Sequence, residues 1–185
     1  MRADARNNYD RVLQVAADAF AREGTGASLK AIAQEAGVGI GTLYRRFPTR
    51  DVLVEAVYRQ EVERICAAAD EQLDAAPGGE ALRGWMELFV DFMATKRGLG
   101  ETLRAVLTSD EDKQQTRDQL TATIDRLLAA GVADGTVRAG IDPRDLLMAL
   151  GGVTLIAAEE HQRPLATRLL DLLMDGVRRA GLPAR

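Results

Sequence analysis

Apolar residues recur along nearly all of this chain at the i, i+3, i+4, i+7 spacing of a helix face, and no segment alternates over a strand's length. The fold class expected is therefore all-α. In NNYDRVLQVAADAFAREG the stripe is Leu13, Ala16, Ala17 and Phe20, with Asn8 as N-cap and Gly24 as a natural stop. SLKAIAQEAG repeats the spacing at Leu29, Ile32, Ala33 and Ala36, between Ser28 at the N-cap and Gly37 at the end. A longer helix opens on Thr49 and carries Val54, Val57, Tyr58, Val62, Ile65, Cys66, Ala69 and Leu73 on its stripe. It ends at the break Pro77-Gly78-Gly79.

Beyond the break, Leu82, Trp85, Met86, Phe89, Phe92 and Met93 share one face of a helix. A short piece with Leu103, Val106 and Leu107 follows, then a helix that is polar at first and ends on Leu120, Ile124, Leu127 and Leu128. DGTVRAGIDP reads as a loop whose Pro143 starts the next helix, with Asp145 in its first turn. The last two helices, residues 143–160 and 164–180, are apolar on more than one face, which implies burial on more than one side.

The glycine-rich run GVGIGTLYRRFP, residues 37–48, raises the question of a phosphate loop. A dinucleotide fingerprint needs G-x-G-x-x-G after a strand, whereas Tyr44 stands at the third glycine position and a helix precedes it; a Walker-type loop needs Gly-Lys-Ser/Thr, which is absent. What remains is a helix of about seven residues crossing the one before it, a helix-turn-helix. Gly37 supplies the left-handed turn residue, Val38 an apolar plug, and Gly39 the N-cap. Leu43 and Phe47 can face inward, leaving Ile40, Thr42, Tyr44, Arg45 and Arg46 towards solvent or DNA. Pro48 ends the helix, and Thr49 caps the next so that its positive end can meet a phosphate.

Charge agrees with this division of labour. The net charge of the chain is −4, but residues 1–50 hold eight Lys/Arg against five Asp/Glu, while the rest holds 16 against 23. A basic head on an acidic body suits a chain whose head alone meets phosphates. The single cysteine, Cys66, cannot form an intrachain disulfide and reads as a small core residue. MRADARNNYDR has no apolar signal region, and the longest uncharged apolar run, of 13 residues at 146–158, is too short to span a bilayer, so a cytoplasmic location with no membrane partner is expected.

The run RVLQVAADAFAREGTGASLKAIAQEAGVGIGTLYRRFPTRDVLVEAV, residues 11–57, resembles the head of the tetracycline-repressor (TetR-like) family of transcriptional regulators. Ala17, Phe20, Gly24, Ile32, Ala33, Ala36, Gly37, Val38, Gly41, Leu43, Tyr44, Phe47 and Leu53 match the family's pattern. Gly39 departs from its usual serine and Ile40 from its frequent polar residue. A glycine N-cap is worse than serine by only a few tenths of a kcal/mol, so the helix is expected to survive with one contact fewer. The segment at residues 103–143 weakly resembles the SbtR-like subgroup.

The resemblance implies a three-helix DNA-binding head at residues 1–48 and a ligand-binding and dimerisation domain at 49–185, with 49–76 as the linking long helix and about nine helices in all. It implies a ligand-released repressor that binds a palindromic operator on double-stranded DNA as a homodimer. The DNA-binding candidates are Thr25, Ser28, Lys30, Gly39, Ile40, Thr42, Tyr44, Arg45, Arg46, Thr49 and Arg50. In the family the matching tyrosine sends its hydroxyl to a phosphate; short hydroxyls and basic tips at helix starts suit the same role, and Ile40 suits a thymine methyl. Arg6 is a further candidate, for the minor groove. The ligand-binding candidates are Glu61, Trp85, Met86, Phe89, Phe92, Met93 and Leu107, implying an unknown apolar or aromatic small-molecule inducer, with no metal and no other cofactor. The dimer candidates are Gly151, Gly152, Leu155, Ala158, Leu165, Leu169, Leu172, Leu173 and Val177.

Plainer readings stand beside these. Arg45 and Arg46 can be a solvated pair, the aromatic and methionine stripe can be core, and the only histidine, His161, reads as a surface residue at a helix end. An enzyme is not expected, because one His and one Cys far apart form neither a metal site nor a nucleophile with its base. A helical interaction protein with a degenerate head is the remaining alternative. Salt-dependent binding to random duplex DNA distinguishes the two.

Overall fold

The computed structural model of the chain describes residues 2–107, 110–156 and 162–179. Among them lie nine α-helices: α1 (Arg2–Glu23), α2 (Leu29–Glu35), α3 (Ile40–Arg46), α4 (Arg50–Ala75), α5 (Gly78–Gly98), α6 (Gly100–Val106), α7 (Asp110–Ala133), α8 (Pro143–Ile156) and α9 (Arg163–Val177), with a 3-10 turn at Gly24–Gly26. The only extended pairing among the described residues is an isolated antiparallel bridge between Val137 and Arg178. The fold is all-α. The chain forms two units, Met1–Glu61 with Ala94–Asp112, and Val62–Met93 with Lys113–Arg185.

In the first unit α1 buries Val12, Leu13, Ala16, Ala17, Ala19 and Phe20. It starts at Arg2, so Asn8 is an exposed residue inside the helix and not its N-cap. The first turns are polar and carry no Gly or Pro, so nothing in the apolar period marks them. Gly24, at φ 66°, ends α1, and Gly37, at φ 70°, ends α2. There the Gly37 N–H donates to the Gln34 carbonyl at 3.1 Å and the Val38 N–H to that of Ala33 at 2.9 Å, the paired bonds of a Schellman motif. Leu99, Leu103 and Leu107 are buried in this unit too. A Cβ at Gly98 would stand 3.0 Å from both Ala21 Cα and the Phe20 carbonyl carbon, so the end of α5 meets the end of α1 backbone to backbone.

In the second unit Ile65, Ala69, Leu82, Trp85, Met86, Phe89, Ile124, Leu127, Leu150, Leu170 and Met174 are buried. The break expected at Pro77-Gly78-Gly79 is narrower than its composition suggests, because both glycines belong to the first turn of α5. A Cβ at Gly78 would collide with the Gly131 backbone of α7, and one at Gly79 would lie 2.9 Å from Thr136 Oγ1. These glycines serve close packing and not chain reversal. Cys66 is only half-buried, not a core residue. Helix α9 stops at Val177, short of residue 180, because Arg178 turns extended and the chain pairs with the loop after α7: Arg138 N–H donates to the Val177 carbonyl at 3.0 Å and Arg179 N–H to that of Thr136 at 3.3 Å.

Asp134, just beyond α7, caps α5 from a distance. Its carboxylate accepts the Gly78 N–H at 2.6 Å and the Thr136 N–H at 3.0 Å, as well as the Thr136 hydroxyl. Desolvation pushes this carboxyl up, but the hydrogen bonds from Thr136 and Gly78 outweigh it and hold its pKa below the ordinary 3.8. A depressed folded pKa gives stability that is fully present above that ordinary value and is lost as pH falls through the folded one. Asp134→Ala is expected to lower stability by about 1 kcal/mol at neutral pH. Thermal melts at descending pH should show the gap to wild type closing below 3.8; a gap that persists in acid would mean the carboxylate is not the cap.

Candidate nucleic-acid interface

Helix α3 has only seven residues and depends on its inward face. Leu43 is 1% exposed and Phe47, at the C-cap, 3%. The same spacing turns Ile40, Thr42, Tyr44, Arg45 and Arg46 outward, all of them exposed. Gly39 is the N-cap, with extended backbone (φ −67°, ψ 140°) and no side-chain cap. A Cβ there would meet nothing closer than Thr42 Oγ1 at 3.8 Å, so a serine would fit the same backbone.

Two further helix starts present hydroxyls in the same unit. Ser28 Oγ accepts the Ala31 N–H at 3.4 Å at the start of α2, and Thr49 Oγ1 accepts the Val52 N–H at 3.2 Å at the start of α4. Each hydroxyl acts as an acceptor to its own helix and keeps its O–H to donate, which suits a phosphate oxygen. Asp51, exposed in the first turn of α4, adds a negative charge that works against an anion there. Lys30 is exposed on α2. The side chains of Thr25, in the 3-10 turn, and of Arg6 lie outside the described residues.

Arg50 is different in kind. Its Nη1 donates to the Ala27 carbonyl at 2.8 Å, across 23 residues, and the side chain is half-buried. It ties the start of α4 to the segment before α2, a structural role that the expected DNA contact did not include. A basic residue at a helix start reads alike in both roles from sequence, since the carbonyl it satisfies is distant along the chain. The sequence reading also passed over Tyr9 of α1. Its half-buried ring stacks on Phe47, with centroids 5.5 Å apart and planes 24° from parallel, and the Arg46 guanidinium carbon stands 4.8 Å from its centroid. A lone aromatic off the apolar stripe carries no signal of such a partnership.

The remaining candidates lie elsewhere. Trp85, Met86, Phe89 and Phe92 are buried in the second unit, and Met93 is half-buried there. The Trp85 indole N–H donates to the Ile65 carbonyl at 2.8 Å, and its ring stacks on Phe89. Glu61 and Leu107, both buried, belong to the first unit. On α8 and α9, Gly152, Leu155 and Leu172 are exposed, while Gly151, Leu165, Leu169 and Leu173 are half-exposed. Val177, expected on the dimer face, is 5% exposed and turned into its own chain. Its period matches the outer stripe, but the pairing beyond α9 draws it inward. Ala158 and His161 lie outside the described residues.

A seven-residue helix with a buried inner edge and a basic, hydroxyl-bearing outer one, set after a Schellman turn, has the geometry of the second helix of a helix-turn-helix. Comparison with known proteins agrees. Residues 12–57 match the family described as "Bacterial regulatory proteins, tetR family", and residues 77–179 match "Transcriptional regulator SbtR-like, C-terminal domain". A TetR transcriptional regulator from Streptomyces coelicolor is 42% identical in sequence, with a TM-score of 0.86 over 93% of this chain and 99% of that one. A TetR transcription regulatory protein from Mycobacterium vanbaalenii is 37% identical, with a TM-score of 0.80 over 96% and 99%. The HTH-type transcriptional regulator UidR of Escherichia coli K12 is 32% identical over 75 residues, 40% of this chain. That match spans only 38% of UidR's length. The chain belongs to the TetR family of DNA-binding transcriptional regulators, which are not enzymes.

Arg50→Ala is expected to destabilise the fold by about 1 kcal/mol through loss of a part-buried hydrogen bond. The measurement is a urea melt; unchanged stability together with weakened DNA binding would make Arg50 a DNA contact alone.

Proposed function

We propose that this regulator is a repressor that reads a near-palindromic operator as a homodimer and releases it when a small molecule binds. A single head with one short reading helix offers too few contacts for specific affinity, and two-fold pairing supplies a second half-site. The observation that carries the dimer is the outer face of α8 and α9. Met148 is 75% exposed, Leu155 76% and Leu172 67%. A Cβ at Gly151 or Gly152 would meet nothing within 4 Å. A glycine inside a helix costs about 1 kcal/mol against alanine, and no contact among the described residues explains either one. A partner helix approaching closely would, in an antiparallel four-helix arrangement.

Selection from a random duplex library with the purified protein should return a consensus with two-fold symmetry; a single asymmetric site would refute the dimeric reading. Leu155→Glu with Leu172→Glu should give a monomer in sedimentation that loses operator affinity and keeps weak, salt-dependent binding to random DNA.

The effector in this reading is mostly apolar or aromatic, taken up in the second unit beside Trp85, Met86, Phe89, Phe92 and Met93, with no metal or other cofactor. The apolar character of these side chains supports it. Among the described residues no three His, Cys, Asp or Glu side chains are grouped to hold a metal ion. No described helix is long and apolar enough to cross a membrane, and the reading implies a cytoplasmic protein. Ligand binding and DNA binding must then oppose one another equally. Once an inducer is found, calorimetry should show it binding more weakly when operator is present; equal affinity with and without operator would exclude release by that ligand.

A further inference from the structure

We infer that Tyr9 is a positioning residue for DNA binding: its ring, fixed on Phe47, holds the Arg46 guanidinium ready for a backbone phosphate. The inference rests on α3 being the DNA-facing helix, and its geometry is independent of operator sequence. Phe47 is 3% exposed and anchors one face of the stack. Tyr9 lies against it at 5.5 Å, and Arg46 stands over the Tyr9 ring at 4.8 Å, within the reach of a cation–π attraction. Three side chains from α1 and α3 thus form a ladder that runs from the core to the exposed cation.

The physical effect is on entropy. A free arginine side chain carries about 2 kcal/mol of rotamer entropy, part of which is lost when it grips a phosphate. An arginine already leaning on a ring has lost some of it on folding, so contact with DNA is less opposed. The planar guanidinium can lie on the ring and still direct N–H donors outward from its edge. Arg45, its neighbour, is also exposed, and among the described residues no aromatic ring lies against it. It provides the internal control.

The test is a double-mutant cycle on the full-length protein, read as binding to labelled random-sequence duplex DNA at low salt. Tyr9→Leu should weaken binding about two- to fivefold for each head engaged, the equivalent of about 0.5 to 1 kcal/mol for an exposed cation–π contact. In an Arg46→Ala background the same change should have no further effect, while in an Arg45→Ala background it should have its full effect. Tyr9→Phe, which keeps the ring face, should bind as wild type. Melting curves accompany each variant, and Tyr9→Met takes the place of Tyr9→Leu in the cycle if the latter is unfolded at the assay temperature. Equal losses with and without Arg46, or a Tyr9→Phe loss as large as that of Tyr9→Leu, would overturn the proposal, the latter because the hydroxyl and not the ring would be the working group. If Arg46→Ala itself binds as wild type, the assignment of Arg46 to the DNA face has failed; if Arg46→Ala weakens binding and Tyr9→Leu does not, only the role of Tyr9 has.

Discussion

Seven residues do not hold a helix in water, because nucleation is unfavourable and so few hydrogen bonds follow it. Helix α3 exists because Leu43 and Phe47 are buried, each contributing about 1.5 to 3 kcal/mol, and because the Schellman turn at Gly37 delivers the chain to Gly39 already extended. The rest of the head can be understood as support for those two side chains. Helix α2 packs on both α1 and α3, and Tyr9 closes over Phe47. What the outer face of α3 presents to solvent is the remainder of a helix whose inner positions are fixed by folding.

Much of this was legible in the sequence, and the exceptions share a cause. The period of 3.6 located the helices and their buried faces, and Gly24, Gly37, Ser28 and Thr49 marked ends that the backbone confirms. Periodicity says which face is buried but not against what. Arg50 bonds a carbonyl 23 residues away and Asp134 caps a helix 56 residues away, distances over which no spacing rule operates. The burial of Val177 has the same origin: the pairing of Val137 with Arg178 beside it is invisible to a helix period. Tyr9 was missed because a single ring off the stripe looks like any surface tyrosine.

Glycine shows how differently one residue type can be used. Gly78, Gly98 and Gly131 are closed positions, where a side chain would run into a neighbouring backbone or into Val137. Gly151 and Gly152 are open ones, helical and unopposed. From sequence alone Gly78 reads as part of a break and Gly151 and Gly152 as dimer contacts, and spacing does not say which of them is opposed within the chain. Only the surroundings separate a glycine that lets two parts of one chain touch from one whose reason lies outside it.

The outer face of α3 is open in the same way, and this bears on how such a regulator can change over generations. A Cβ at Gly41 would meet nothing within 4 Å, and Ile40, Thr42, Tyr44 and Arg45 are all exposed. Exchanges at these positions leave the buried edge of the helix untouched, so this face can drift with little penalty in folding. Arg46 is the exception, since it leans on Tyr9. The head therefore separates what must stay constant for the chain to fold from what is free to vary with the DNA it meets, and Arg46 stands where the two requirements overlap.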